Sequence, residues 1–144
     1  MMISKKLDDL LLPMRSRMIM FIAGCSQRGV DIVVICTRRD HEAQAALYAC
    51  GRTLPGPVKT NAKPNSSMHE FGLAVDFVPV KDGKAEWEVF SSGDLSKDWE
   101  IVKEEAEKAG LEWAGNWKTF KEYDHVQYTG GLTLAQIQNG EIPV

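Results

Sequence analysis

Apolar side chains recur every three to four positions at the start of the chain: Leu7, Leu10, Leu11, Met14, Met18, Phe21, Ile22 and Cys25. That spacing predicts a helix over residues ~4–28 with one apolar face, stopped by Gly29. Pro13 interrupts the run, and either kinks the helix or opens a second one at its first position. Asp31-Ile32-Val33-Val34-Ile35-Cys36 is a β-branched run read as a buried strand. Asp40 can cap a helix reaching ~50, with Ala43, Leu47 and Cys50 on one face and Gly51 as its stop. From Gly51 to Ser67 come three prolines and two glycines without periodicity, which predicts a long loop. Loops of that length in a small domain tend to be functional.

The pattern then changes period. From Gly72 on it alternates: Leu73, Val75 and Phe77 fall on one face, Ala74, Asp76 and Val78 on the other, as in a strand. Lys81-Asp82-Gly83-Lys84 reads as a hairpin turn before a short strand near Ala85–Val89. Leu95, Trp99, Val102, Ala106 and Ala109 return to helical spacing, closed by Gly110. An aromatic-rich stretch from Leu111 to Phe120 follows, then a last strand from His125 to Tyr128 and a short helix from Thr133 to Asn139. No repeat or linker divides the chain, so a single domain over residues 1–144 is expected.

Composition narrows the function. Net charge is −3 and apolar residues make up 44%, which disfavours a general nucleic-acid-binding role and disorder. No apolar run is long enough to span a membrane, and no stable membrane association is expected. Ile22-Ala23-Gly24-Cys25 looks like a lipid-attachment signal, but the apolar stretch before it is short and helical in pattern, so it is read as core helix. The three cysteines, an odd number without a C-x-x-C pair, are read as reduced, mostly buried thiols. Residues 36–68 carry five basic and two acidic side chains, and residues 82–124 twelve acidic and six basic. The basic segment is either a wall that receives an acidic substrate or ordinary solvated surface.

Asp76 is the chemical anomaly, a carboxylate in the middle of a strand that otherwise reads as buried. Such a charge is costly unless paired, and a cation is one remedy. His69, seven residues earlier, and His125, beside two carboxylates, can supply the remaining ligands of a catalytic zinc set with one position open. Glu122 is the candidate general base, provided it lies in the bend before the last strand. Asp124 is its rival, disfavoured because on a regular strand it points away from a site containing His125. Arg39 is the candidate for stabilising an oxyanion or binding a substrate carboxylate. Ser67 can orient substrate or hydrogen-bond behind the site, and His41 is expected to be exposed.

These residues fall into motifs. Ser67, His69, Gly72, Ala74 and Asp76 meet an S-x-H-x-x-G-x-A-x-D signature, Glu122 and His125 end an aromatic-rich stretch, and Arg39 precedes Gln44, Leu47, Tyr48, Gly51 and Arg52. In these three motifs the chain resembles the zinc D-alanyl-D-alanine carboxypeptidase and L-alanyl-D-glutamate endopeptidase family, to which many phage endolysins belong. The resemblance implies an α+β fold of the hedgehog/D-Ala-D-Ala-peptidase type, a small antiparallel sheet carrying the site between flanking helices. It implies Zn2+ held by His69, Asp76 and His125, with Glu122 as base and Arg39 as transition-state stabiliser. It further implies hydrolysis of peptidoglycan stem peptides, at the L-alanyl-D-glutamate bond first and the D-alanyl-D-alanine bond second, with a non-catalytic wall-binding module as the rival class. A monomer is expected, made in the bacterial host cytoplasm without a signal peptide and acting on the wall after release. The sequence departs from the family at three positions: Glu122 replaces a frequent aspartate, Asp124 a proline and Val126 an aromatic residue.

Overall fold

The computed structural model describes residues 1–144 and has an α+β architecture, with its two longest helices packed on one face of a small antiparallel sheet. The first helix, α1, is Leu12–Gln27. Of the two readings of Pro13, helix opening holds: it sits in the first turn, where its missing N–H costs nothing. The helix therefore starts well after residue 4. Upstream, Leu7–Asp9 makes a single 3-10 turn. Before it, Met2–Ser4 lies alongside Thr37–Asp40: the N–H of Asp40 donates to Met2 O (3.0 Å), that of Ser4 to Arg38 O (2.8 Å) and that of Thr37 to Ser4 O (2.8 Å). Met14, Met18, Phe21 and Cys25 form the buried stripe of α1, the first three worth about 1.5–3 kcal/mol each in apolar burial. Cys25, of the lipid-signal-like stretch, is a core residue whose thiol is pushed up to about 12 by burial and then by the charge of Glu105. All three cysteines are free, and only Cys50 is partly exposed.

Strand β1 (Asp31–Cys36) pairs with β2 (Ala74–Lys81), β2 with β7 (His125–Gln127), and β7 with β6 (Glu112–Trp113). All these pairings are antiparallel. Here the structure corrects the sequence reading of β1. It is an edge strand with Val33 47% exposed, because only β2 pairs along it and one face meets solvent. Helix α2 is His41–Ala49, capped by the Asp40 carboxylate accepting from Ala43 N–H. The hairpin at Asp82-Gly83 forms as expected, but β3 is only Lys84–Ala85. A second hairpin, β4 (Phe90–Ser91) with β5 (Asp94–Leu95), was not anticipated. Two residues per arm are too few to show alternation; the signal was the turn pair Ser92-Gly93, both at positive φ.

The core lies between the sheet and helices α1 and α3 (Lys97–Lys108). The alternation along β2 sorts as read. Val75 and Phe77 are fully buried, with Phe77 edge-on to Phe21 at 5.3 Å and 6.0 Å from Trp99. Trp99 and Trp113 stack at 6.2 Å, and their indole N–H groups donate to Glu86 O (2.9 Å) and Tyr123 O (2.7 Å), so neither buries an unpaired donor. A short helix α4 (Leu134–Gln138), capped by Thr133, closes the chain with Ile137 in the core. No helix is long and apolar enough to cross a membrane. With one face of β2 spent on this core, Asp76 is turned to the other.

Candidate metal centre

Strand register builds half of the site. Cys36 pairs with Asp76, and Asp76 with His125, so the three lie in one row across β1, β2 and β7. Directly opposed residues hold their Cβ atoms about 4.5–5.5 Å apart, which brings His125 to Asp76 whatever lies between them in sequence. His69 comes from a separate device, the 3-10 turn Met68–Phe71. Ser67 Oγ accepts the His69 N–H (3.3 Å) and the Glu70 carboxylate accepts the Ser67 N–H (2.8 Å), a reciprocal capping box. Gly72 closes the turn at φ 69°; a Cβ there would lie 3.1 Å from Leu11 N and 3.3 Å from Asp9 O. Only glycine suits both the conformation and the space.

The three side chains meet. His69 Nε2 and His125 Nδ1 are each 3.1 Å from the same Asp76 oxygen, Oδ1, and the two rings are 5.2 Å apart. The outer nitrogens are fixed by other partners. His69 Nδ1 is 2.7 Å from Thr37 O, which can only accept, so Nδ1 carries the proton and Nε2 turns its lone pair inward. His125 Nε2 is 2.8 Å from Gln127 Oε1, and the Gln127 amide donates to Glu112 (2.9 Å). With both rings neutral, two nitrogen lone pairs converge on one carboxylate oxygen. That donor set fits a divalent cation. When no ion is bound, protons on those nitrogens can take its place: burial opposes the charge on Asp76, but hydrogen bonds from His125 and His69 then outweigh it and hold the carboxyl well below the usual range. Burial likewise opposes charging His125, and the Asp76 carboxylate reverses this and raises its pKa.

Cys36 adds a third donor type: one ligand atom each from Cys36, His69 and Asp76 lie within 4.8 Å of one another. The thiol approaches the wrong side of the ring, 3.9 Å from Nδ1, the nitrogen already bonded to Thr37. Burial, above all, raises its pKa and keeps it protonated. His69, Asp76 and His125 are therefore the set suited to a metal.

The remaining candidates surround a cavity of about 780 Å³ over this floor. Arg39 is buried, with Nη2 3.6 Å from Asp76 Oδ2 and Nη1 donating to Gln44 Oε1 (3.0 Å). Its Nε–H has no partner within the protein. Glu122 lies in the bend before β7, half exposed, with Oε2 3.6 Å from His125 Nδ1. Asp124 corrects the strand argument. Because β7 starts only at His125, alternation does not govern Asp124, and it lines the cavity beside Glu122. Burial, then the charge of Asp76, raises its pKa. Ser67 lines the cavity while its hydroxyl caps the His69 turn. His41 is exposed and 2.7 Å from Glu70 Oε1.

Sequence reading missed three supports. Glu70, its side chain fully buried, also accepts from Asn65 N–H (2.7 Å) and stiffens the turn carrying His69. The signal was present, since Ser67-x-x-Glu70 has capping-box spacing. Gln127 orients His125, and Gln44 ties Arg39 to Ala62 O (2.9 Å). No local pattern marks either glutamine as a brace.

An α+β fold with a buried His-Asp-His cluster under a cleft belongs to a recognisable class. Residues 60–128, the segment that contains His69, Asp76 and His125, match the family described as D-alanyl-D-alanine carboxypeptidase. The chain is 38% identical over 108 residues to the peptidoglycan L-alanyl-D-glutamate endopeptidase CwlK of Bacillus subtilis, covering 73% of this chain and 65% of that protein. It is 30% identical over 100 residues to the L-alanyl-D-glutamate peptidase of Listeria phage A118, 69% of this chain and 31% of that one. The chain thus spans just under two thirds of the first relative and about a third of the second. Two solved structures share the fold. One is the Serratia marcescens L-Ala D-Glu endopeptidase ChiX (TM-score 0.56, 23% identity, 85% of this chain and 83% of that one). The other is the LD-carboxypeptidase LdcB (TM-score 0.64, 22% identity, 93% and 65%).

Proposed function

We propose that this chain is a zinc-dependent peptidoglycan endopeptidase that hydrolyses the L-alanyl-D-glutamate bond of stem peptides, acting as one domain over residues 1–144. The observation that carries the reading is the convergence of two imidazole nitrogens on one Asp76 oxygen at 3.1 Å, beneath a cleft edged by Glu122. His69 Nε2, His125 Nδ1 and Asp76 would hold the ion. Zinc supplies Lewis acidity toward a carbonyl oxygen and toward water.

The other steps belong to the protein. Glu122, beside His125 and open to the cleft, accepts the proton of the attacking water and returns it to the leaving amine. Arg39 presents a fixed positive charge to the oxygen that becomes negative, its plane set by Gln44 and Asp76. Ser67 acts through the turn it caps, holding His69 in place. The names of the two sequence relatives favour the alanyl-glutamate bond over D-alanyl-D-alanine.

Digestion of defined stem peptides followed by mass spectrometry tests the reading. A new D-glutamyl amino terminus is the expected product, whereas release of terminal D-alanine alone would overturn the bond assignment. Glu122→Gln should retain zinc by metal analysis and lose about 10²–10⁴-fold in turnover. Equal rates for mutant and wild type would remove Glu122 from the mechanism, and absence of turnover in both would favour a wall-binding module.

A further inference from the structure

The cleft is electrically lopsided. Asp76 lies on its floor and Glu122 and Asp124 stand on the side leading into β7, while the segment Lys59–Ala62 forms part of the wall. Apart from histidines, its lining has two cations, Arg39 and Lys59. Arg39 is committed to Gln44 and Asp76. Lys59 is exposed and makes no hydrogen bond or ion pair. Its neighbours in the basic stretch are unsuited. Arg52 donates to Tyr48 O (2.7 Å) and Thr60 O (3.1 Å) and stacks on the Tyr48 ring, and Lys63 does not line the cleft.

The free ammonium stands on an anchored backbone. Gln44 Nε2 donates to Ala62 O (2.9 Å), Ala62 N–H to Thr60 Oγ1 (3.1 Å), and Arg52 grips Thr60 O. The same glutamine that positions Arg39 therefore fixes the root of Lys59. A ligand carboxylate entering this cleft meets two acids outside the metal-ligand set, Glu122 and Asp124, and one uncommitted cation, Lys59. A glutamate residue joined through its amine and one carboxyl keeps its second carboxyl free.

Building on the endopeptidase reading, we infer that Lys59 is the specificity-determining cation of the cleft. It binds the free carboxylate of the glutamate residue on the leaving-amine side of the scissile bond and so sets the direction in which the stem peptide lies.

The probe pair is a stem tripeptide with D-glutamate and the same peptide with D-isoglutamine, which replaces that carboxylate by a neutral amide. Wild type should prefer the carboxylate form about fivefold in kcat/KM, mostly through KM, the factor that an exposed pair of about 1 kcal/mol supplies. Lys59→Gln should bring the ratio to about one and Lys59→Arg should restore it; because Lys59 has no partner in the fold, neither variant should alter stability. An unchanged ratio in Lys59→Gln overturns the assignment. Calorimetric binding of both peptides to zinc-loaded Glu122→Gln, with and without Lys59→Gln, separates the two readings. Discrimination that depends on Lys59, without cleavage of the alanyl-glutamate bond by wild type, sinks the endopeptidase reading and leaves Lys59 standing. Cleavage with discrimination that ignores Lys59 does the reverse, and a peptide neither bound nor cut sinks both.

Discussion

Gln44→Leu tests whether the arginine of the cleft depends on its brace. Gln44 is fully buried, and its amide makes two good bonds, accepting from Arg39 Nη1 at 3.0 Å and donating to Ala62 O at 2.9 Å. Leucine keeps nearly the same volume and removes both. The orphaned guanidinium N–H costs about 1.5–3 kcal/mol as a charged donor, and the half-buried carbonyl about 1 kcal/mol. Relief from burying the amide itself returns about 1 kcal/mol. The net loss is about 1.5–3 kcal/mol, or roughly 6–12 °C in Tm for a chain of this size at about 4 °C per kcal/mol. Calorimetric unfolding of the zinc-loaded protein measures it. Turnover should fall with little change in KM, because Arg39 loses its fixed plane. Gln44→Glu, which keeps the acceptor and loses the donor, should lie between the two. A Tm within a degree or two of wild type with unchanged kcat would show that Gln44 does not hold Arg39.

Removal of the ion by a chelator should abolish hydrolysis, and zinc at a hundred times its Kd should restore it and add about 2.7 kcal/mol of stability, visible as a rise in Tm. Metal-free and metal-loaded protein should respond to pH in opposite senses. His125 has a raised pKa when folded, so its bond to Asp76 stabilises the metal-free form fully below the unfolded histidine value and is lost as pH rises through the raised one. Zinc must displace that proton, so its affinity should weaken as pH falls; urea titrations at several pH values with and without zinc check this, and parallel trends would refute it. Gly72→Ala should cost about 1–2 kcal/mol for the left-handed backbone alone, with more from the approach to Leu11 and Asp9, and denaturant midpoints that do not move would refute the steric argument.

The three residues best placed for a metal were legible because each breaks a local rule. Asp76 put a charge in an apolar alternation, and His69 and His125 flank strand-like segments beside carboxylates. The register that joins Asp76 to His125 was not legible, since pairing between strands so far apart is decided by the whole sheet. Edge position was equally hidden: Asp31–Cys36 has the composition of an interior strand, and only its pairing, with Val33 opposite Val78 on the face away from the main core, shows where Val33 meets solvent. Asp124 misled for the opposite reason, because the strand invoked to turn it away begins one residue too late. The bracing roles of Gln44, a member of the Arg39 motif, and of Gln127 carry no local signature, because a glutamine becomes a brace only when two remote groups lie within its reach.

Residues 2–4 brace the backbone of the cleft from far outside its motifs. Met2–Ser4 clasp the backbone on either side of Arg39, and Ile3 adds to the cleft lining. Substitutions in Met2–Ser4 therefore press on the seat of the arginine, and variants differing only there should differ in turnover before they differ in fold.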